Sequence, residues 1–368
     1  MSIMVQFSPP ARGLIIAGAV ALIITLMHMA APILSPLLLA VFIAVIATPP
    51  LRWMRRKGIP KWAALGLIVF VLLDVGSLLA LLSTGALEGF RDSFPTYQER
   101  FMLLSQQAGG VLERFGLEHS DAAIPDLLDP KKAIGLVRLM LSNASGVLAM
   151  GLLVLLAVMF MLAEAPSLHT KLRVAFNPSP EAEARISQLL KRLSRYMSIK
   201  TLTSLATGVL IWGWLAFLGV DFAPLWGVLA FLLNFVPTVG SIIAAVPPVL
   251  LALVQLGFQD ALLTAVGFMA VNIGIGNFVE PRVMGKGLGI STLAVFISLL
   301  FWGWIFGLVG MFLAVPLTAA LIAALDASPH TRPLAIMLGP ELKQQEPGAA
   351  PAGDGTAMSD PPSAKDEG

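Results

Sequence analysis

The sequence has no cysteine, little charge and few histidines. Without cysteine there is no disulfide, no thiol nucleophile and no thiolate metal site among its 368 residues. Asp, Glu, Lys and Arg together make up 12% of the chain, against roughly 25% in an ordinary soluble domain. His28, His119, His169 and His330 are too scattered to form a local chelating motif. There is no Walker-type phosphate loop, so ATP hydrolysis within this chain is not expected. Apolar surface is what the chain has in excess: 57% of residues are hydrophobic and the mean hydropathy is +0.84. That balance excludes a soluble enzyme, a nucleic-acid-binding domain and a disordered scaffold, and it fits an all-α polytopic membrane protein. The net charge of +2 calls for no anionic partner. No cofactor, metal or nucleic acid is indicated; the lipid bilayer is the expected surrounding.

A membrane-spanning helix needs about 20 mostly apolar residues. Eight hydrophobic segments meet or approach that length. The first three are Leu14–Met29, Ile33–Thr48 and Trp62–Leu82, with Pro32 and Pro36 expected to part the first two and Pro49-Pro50 to end the second. The first is read as a retained helix, because Arg12 is the one charge before it and no A-x-A cleavage site follows. The fourth is Asn143–Ala163, and the rest lie between Thr201 and Leu325. The expected organisation is three N-terminal helices over 1–85, an extracytoplasmic helical insert over 86–141 and a fourth helix over 142–163. A cytoplasmic amphipathic linker over 164–200, a transport-like membrane region over 201–338 and a disordered cytoplasmic tail over 339–368 complete it.

Lysine and arginine set the orientation. The loop after the second span holds Arg52, Arg55, Arg56, Lys57 and Lys61 and no acid, so it and both termini are expected in the cytoplasm. The segment 88–138 has six basic and eight acidic residues and is expected outside; 164–200 has seven basic residues against three acids and is expected inside. In the outer insert, Phe90, Phe94, Tyr97, Phe101, Leu104, Ala108, Val111 and Phe115 repeat every 3.5 residues on average, the seam of helices that wind around a partner. The partner is either the following helix, through Ile134, Val137 and Leu141, or another subunit, which would make the protein a homo-oligomer. In the inner linker, Ser179 is a fitting cap, Pro180 a fitting first residue, and Glu181 and Glu183 suit the positive end of an amphipathic helix. Arg185, Lys191, Arg192 and Arg195 would lie near lipid phosphates, making it a membrane-surface connector.

The C-terminal half holds two runs too long for one crossing. Leu225–Val254 is interrupted at Asn234-Phe-Val-Pro237-Thr238-Val-Gly240, and Thr292–Leu325 at Gly303, Gly307 and Gly310. Both interruptions are followed by similar words, around Val239-Gly240 and Val309-Gly310, and each long run comes after an ordinary span. About six full spans plus two broken or re-entrant segments are expected; if both are hairpins the last units form an inverted repeat, and two full crossings are the alternative. Broken backbone at membrane depth must line a cavity or be buried in protein. Asn234, Pro237, Thr238, Gly240, Ser241, Asn272 and Asn277 are therefore the candidate solute path, and asparagine suits a small neutral or hydroxyl-bearing solute. Interhelical hydrogen bonding is the plainer role for each asparagine. Asp74, inside the third span, and Glu280, before Pro281, are candidate coupling groups for a proton or sodium ion. Arg282 and Lys286 are the candidate gate or interface residues. Structural roles at a helix face and a helix end are the alternatives for the two acids.

Two blocks carry a resemblance. Asn234-Phe-Val-Pro237-x-x-Gly240-Ser-Ile-Ile-Ala-Ala-x-Pro-Pro248 is one. The other joins Asn277-x-x-Glu280-Pro281-x-x-x-Gly285 to Phe301-Trp302-Gly303-Trp304-x-x-Gly307-x-x-Gly310-x-x-Leu-Ala-Val-Pro316. Both resemble signatures of the autoinducer-2 exporter family of bacterial inner-membrane transporters, over about residues 10 to 330. Ser291-Thr292 stands where family members often carry a proline, so a weaker kink is expected there. The resemblance implies a secondary transporter that exports a small polar solute, associated with the furanone-derived quorum signal, or Na⁺/H⁺ exchange in some members. A non-transporting membrane scaffold is the reading from another class. The lack of cysteine and of a local metal motif argues against an intramembrane enzyme.

Overall fold

The structure, a computed structural model, describes residues 8–114, 144–237, 239–284 and 288–340. The second half of the insert, Thr238, Lys286 and the tail beyond residue 340 lie outside the described residues. Every regular element described is helical: α1 (Pro9–Met29), α2 (Ala31–Arg56), α3 (Lys61–Arg114), α4 (Ala144–Phe176), α5 (Pro180–Leu218), α6 (Ala223–Leu233), α7 (Val239–Gln255), α8 (Phe258–Asn272), a π-helical segment (Ile273–Val279), α9 (Glu280–Met284), α10 (Thr292–Asp326) and α11 (Arg332–Leu338). Five stretches are long and apolar enough to cross a membrane: Ala31–Arg56, Lys61–Leu82, Pro180–Leu218, Phe258–Met284 and Thr292–Asp326. The chain is an all-α polytopic membrane protein.

The N-terminal helices run on where prolines were expected to stop them. Ala30 alone separates α1 from α2, and its N–H still reaches the Leu26 carbonyl at 2.9 Å. Pro32 sits in the first turn of α2, where a missing N–H costs nothing. Pro36, Pro49 and Pro50 lie inside α2. Each deletes one backbone hydrogen bond, and packing of Ala40, Ala44, Ala47 and Met54 against α3 and α4 holds the helix through the loss. Helix α3 continues past Leu82 to Arg114, 54 residues, or about 80 Å at 1.5 Å per residue.

Helix α5 begins as the sequence indicates. Ser179 Oγ accepts from the Ala182 N–H at 3.2 Å, with Pro180 at the first position and Glu181 and Glu183 in the first turn. It then runs 39 residues to Leu218, because no proline interrupts it after Pro180. The expected surface connector and the span after it are thus one rod. A rod that crosses by its second half carries its first half away from the bilayer plane rather than along it.

Both long runs in the C-terminal half fold back on themselves. In hairpin one, α6 descends, the chain turns from residue 234, and α7 returns from residue 239. The two ends are tied: the Asp221 N–H donates to Gln255 Oε1 at 2.9 Å, and Gln255 Nε2 donates to the Gly219 carbonyl at 3.0 Å. In hairpin two, α10 breaks at Gly307, whose φ of 64° and ψ of −143° lie where only glycine is unstrained. Trp302 Nε1 donates to Thr318 Oγ1 at 3.0 Å. Those residues would be about 24 Å apart on a straight helix, so the arms are antiparallel. The start of this hairpin is held by the helix that follows it, α11, with the Ser291 N–H on the Leu338 carbonyl at 3.1 Å. Ser291 caps the first arm by accepting from the Ala294 N–H at 3.1 Å.

The two hairpins use the same device. A Cβ added to Gly240 would lie 1.9 Å from the Leu233 carbonyl oxygen, and one added to Gly310 would lie 1.8 Å from that of Trp302. Their orientations are opposite. Lys200, midway along α5, and Gly219, its C-terminal cap, lie about 28 Å apart, close to the thickness of a hydrocarbon core. Hairpin one hangs from the Gly219 end and returns to it. Helix α8 and the π segment then cross back to Glu280, which pairs with Lys200. Hairpin two starts after that point and closes at its own start. "Span plus hairpin" therefore occurs twice with inverted topology, as the internal similarity indicated.

Candidate functional site

Helix α5 turns one face inward: Met197, Lys200, Thr203, Ser204, Thr207, Gly208, Ile211 and Leu215 are all buried. The polar part of this stripe is unusual for an apolar helix. Thr203 and Thr207 spend their hydroxyls on α5's own carbonyls, of Lys200 at 3.1 Å and Thr203 at 3.0 Å. Lys200 and Ser204 reach out of the helix instead. Helix α6 comes close enough to meet Ser204 because it crosses α5 glycine to glycine. A Cβ on Gly208 would lie 2.7 Å from the Gly227 carbonyl, and one on Gly227 2.6 Å from Trp212 Cβ. That crossing delivers Asn234, at the end of α6, whose Nδ2 donates to Ser204 Oγ at 2.9 Å.

One turn below Ser204, Lys200 Nζ donates to both carboxylate oxygens of Glu280, each at 3.0 Å. The side chains are 7% and 17% exposed, so the pair is enclosed rather than a surface bridge. Glu280 is delivered by the π segment Ile273–Val279, where the extra residue per turn rotates the start of α9; the Glu280 N–H bonds the Ile275 carbonyl, five residues back. Such π insertions recur at functional sites. Here one aims an acid at the only buried charged side chain among the described residues. The pair is electrically neutral as a unit. Above it, fully buried Ser204 and half-buried Asn234 spend a hydrogen bond on each other.

The other expected path residues are spread around this pair. Pro237 and Gly240 form the turn and first residues of hairpin one, with Gly240 buried in the arm crossing. Ser241 comes next, half-buried. Asn272 ends α8 and donates to its own helix, to the Phe268 carbonyl at 2.8 Å. Asn277 is exposed on the π segment. Asp74 is exposed on α3, which packs on α2, α4, α6 and α7; the structure does not bring it to the pair. Arg282 is exposed on α9, at the same end as Lys200. In the outer seam, Tyr97 is buried within the chain, in the cluster formed by α5 to α8. Phe90, Phe94 and Phe101 lie on the same helix, and their side chains are not among those described. Sequence reasoning missed Lys200 and Ser204. Lys200 reads as a loop charge; the sign of its role is the polar run Lys200, Thr203, Ser204, Thr207 on one face of an otherwise apolar helix.

Paired broken helices that hang from opposite ends of a helical region, with an enclosed charged pair at one of those ends, fit transporter architecture. A family model described as "AI-2E family transporter" matches residues 14–330. The chain belongs to the AI-2E family of transporters. Among its relatives, AI-2 transport protein TqsA of Escherichia coli K12 is 38% identical over 324 residues, covering 88% of this chain and 94% of TqsA. A Haemophilus influenzae protein named "Putative transport protein" is 41% identical over 338 residues, covering 89% of this chain and 96% of its own. YhhT of Escherichia coli K12 is 37% identical over 313 residues, covering 85% and 90%. Membership makes this chain a bacterial membrane protein of a solute-transporting family, and a transporter family supports a role other than catalysis.

Proposed function

We propose that this AI-2E protein is a secondary transporter that exports a small polar solute across the inner membrane, driven by an ion gradient, with both termini in the cytoplasm. Autoinducer-2 is the first solute to test, because it is in the name of TqsA. The observation that carries the reading is the enclosed Lys200–Glu280 pair beneath the tip of hairpin one. A proton or sodium ion that neutralises Glu280 frees Lys200 and loosens α5 from α9. That change reaches Ser204 one turn away, and through it the tip at Asn234. Solute binding at the tip and cation binding at Glu280 thereby act on the same helix, which is what coupling requires. Asp74 is the second coupling candidate, and the Phe90–Phe101 seam remains the candidate surface for self-association.

The test is flux of autoinducer-2 in vesicles, under an imposed proton or sodium gradient. Asn234→Ala should lower flux severalfold with assembly intact, since it removes one hydrogen bond worth about 1 kcal/mol. Glu280→Gln keeps the shape and removes the charge, and should abolish gradient dependence more than solute counterflow. Wild-type flux and gradient dependence in both variants would move the site elsewhere. Sodium–proton exchange with no autoinducer-2 flux would favour a cation antiporter using the same carboxylate.

A further inference from the structure

At the end of the molecule opposite the Lys200–Glu280 pair, four elements meet on one residue. Asp221 lies in the short turn between α5 and α6. Its N–H is held by Gln255 of α7 at 2.9 Å, its carbonyl accepts from Trp226 Nε1 at 2.9 Å, and its carboxylate accepts from Tyr97 Oη of α3 at 2.5 Å. One turn further along α3, Arg100 donates to the Gln255 carbonyl. The turn itself is strained. Phe222 has a φ of 58°, where a bulky side chain is an outlier. Its ring is seated on Gly89 of α3, so closely that a Cβ on Gly89 would lie 2.8 Å from it. Three contacts from α3 thus close over the two tied ends of hairpin one.

These contacts differ in kind. The bonds to Gln255 and Trp226 lie within hairpin one and its turn, and they move with it. The bonds from Tyr97 and Arg100 and the Gly89 seat come from a separate helix. They are few and side-chain based; Arg100 is exposed and Asp221 half-buried, while Tyr97 is buried, so once the contact opens water can take the place of Tyr97 on the Asp221 carboxylate. Burial, then the hydrogen bond to Asp221, pushes Tyr97 up to about 12.

We propose that Tyr97, Arg100 and the Gly89 seat form a releasable latch on Asp221, Gln255 and Phe222, closing hairpin one at the face opposite the Lys200–Glu280 pair, so that the two contacts are gates at opposite faces of the same helical region. The gating role rests on the transport reading; the release of the contact does not. Tyr97 and Asp221 are positioning residues, and they touch no solute.

Two measurements decide it, both helped by the absence of native cysteine. Val220, 4% exposed beside Asp221, is replaced by Val220→Cys and labelled with an impermeant maleimide, with no solute present. Adding Tyr97→Phe, which removes one hydroxyl, should speed labelling about fivefold, the factor expected for one ordinary hydrogen bond. An unchanged rate overturns the latch whether or not the protein transports anything. In the second arm, Gly89→Cys and Phe222→Cys are bridged by a short, disulfide-cleavable crosslinker; removing the ring makes room for the new Cβ. Autoinducer-2 flux should fall at least about tenfold on bridging and return on reduction, a reversibility that a merely structural contact would not show. Full flux through the bridged protein overturns the gate. Absence of flux in the unbridged wild type refutes the transport reading, and with it the gating role, while labelling still decides whether the contact opens.

Discussion

Lys200 and Glu280 stabilise each other only as a pair. Removing one partner of a buried ion pair leaves a charge without compensation and typically costs about 3–5 kcal/mol, whereas replacing both by apolar groups can be nearly neutral. Lys200→Met and Glu280→Gln should each lower the detergent melting temperature more than the double variant does, measured by thermal unfolding of purified protein. Equal, additive losses would mean that the two side chains do not interact in solution. At this scale the sequence was partly readable. Glu280 stood out because an acid beside Pro281 at the end of an apolar run is conspicuous. Its partner did not, because 80 residues separate the two, and nothing in local spacing signals a contact made by a hairpin's return. Asn272 shows the limit from the other side: it has the right chemistry for a solute path, yet its amide bonds its own helix at 2.8 Å.

Among the elements, the hairpins were legible and the helix ends were not. Glycine and proline clusters within overlong apolar runs indicated both folds, because a chain can reverse inside a membrane only where its backbone groups find other partners. The crossings at Gly240 and Gly310 make this testable. A Cβ at either would sit within 2 Å of a carbonyl oxygen, so Gly240→Ala and Gly310→Ala should each force the arms apart and aggregate the protein. Gly274→Ala, with nothing within 4 Å, should behave as wild type; size-exclusion chromatography in detergent separates the two outcomes. Helix ends were misread for a different reason. Pro49-Pro50 ends a helix when the helix stands alone, but in α2 the lost hydrogen bonds are outweighed by packing on α3 and α4. Likewise, the change from apolar to basic residues at Lys200 marks where a membrane would end, not where the helix does.

For the molecule as a whole, the order of elements fixes a sidedness. Glu280 bonds Lys200, so Arg282 belongs to the same face as Arg192 and Arg195, and Asp221 to the other. With single cysteines, Arg195→Cys and Arg282→Cys should be labelled from one side of inverted or intact vesicles, and Leu256→Cys, at the far end of α7 and 38% exposed, from the other. Labelling of Arg282→Cys and Leu256→Cys from a common side would refute the inverted arrangement. The hydrogen bonds at Lys200 and at the Gly219 end of α5 place Arg282 and Asp221 at opposite ends of this region without any appeal to loop charge.

The one-residue bend at Gly307 has a consequence for how the two repeats share the work. Hairpin two reverses through a single residue, its tip pinned by the stacking of His28 on Trp304 at 4.8 Å and by Ser35 on the Phe306 carbonyl. Hairpin one reverses between α6 and α7 and meets α5 at its tip through the Asn234–Ser204 bond. The two bends are thus moored to different helices: the second to α1 and α2, the first to α5, the helix that also carries Lys200. A pull on α5 at Lys200 therefore reaches the first bend through a direct hydrogen bond, as tension in a rope reaches what is tied to it, while the second bend is tied elsewhere.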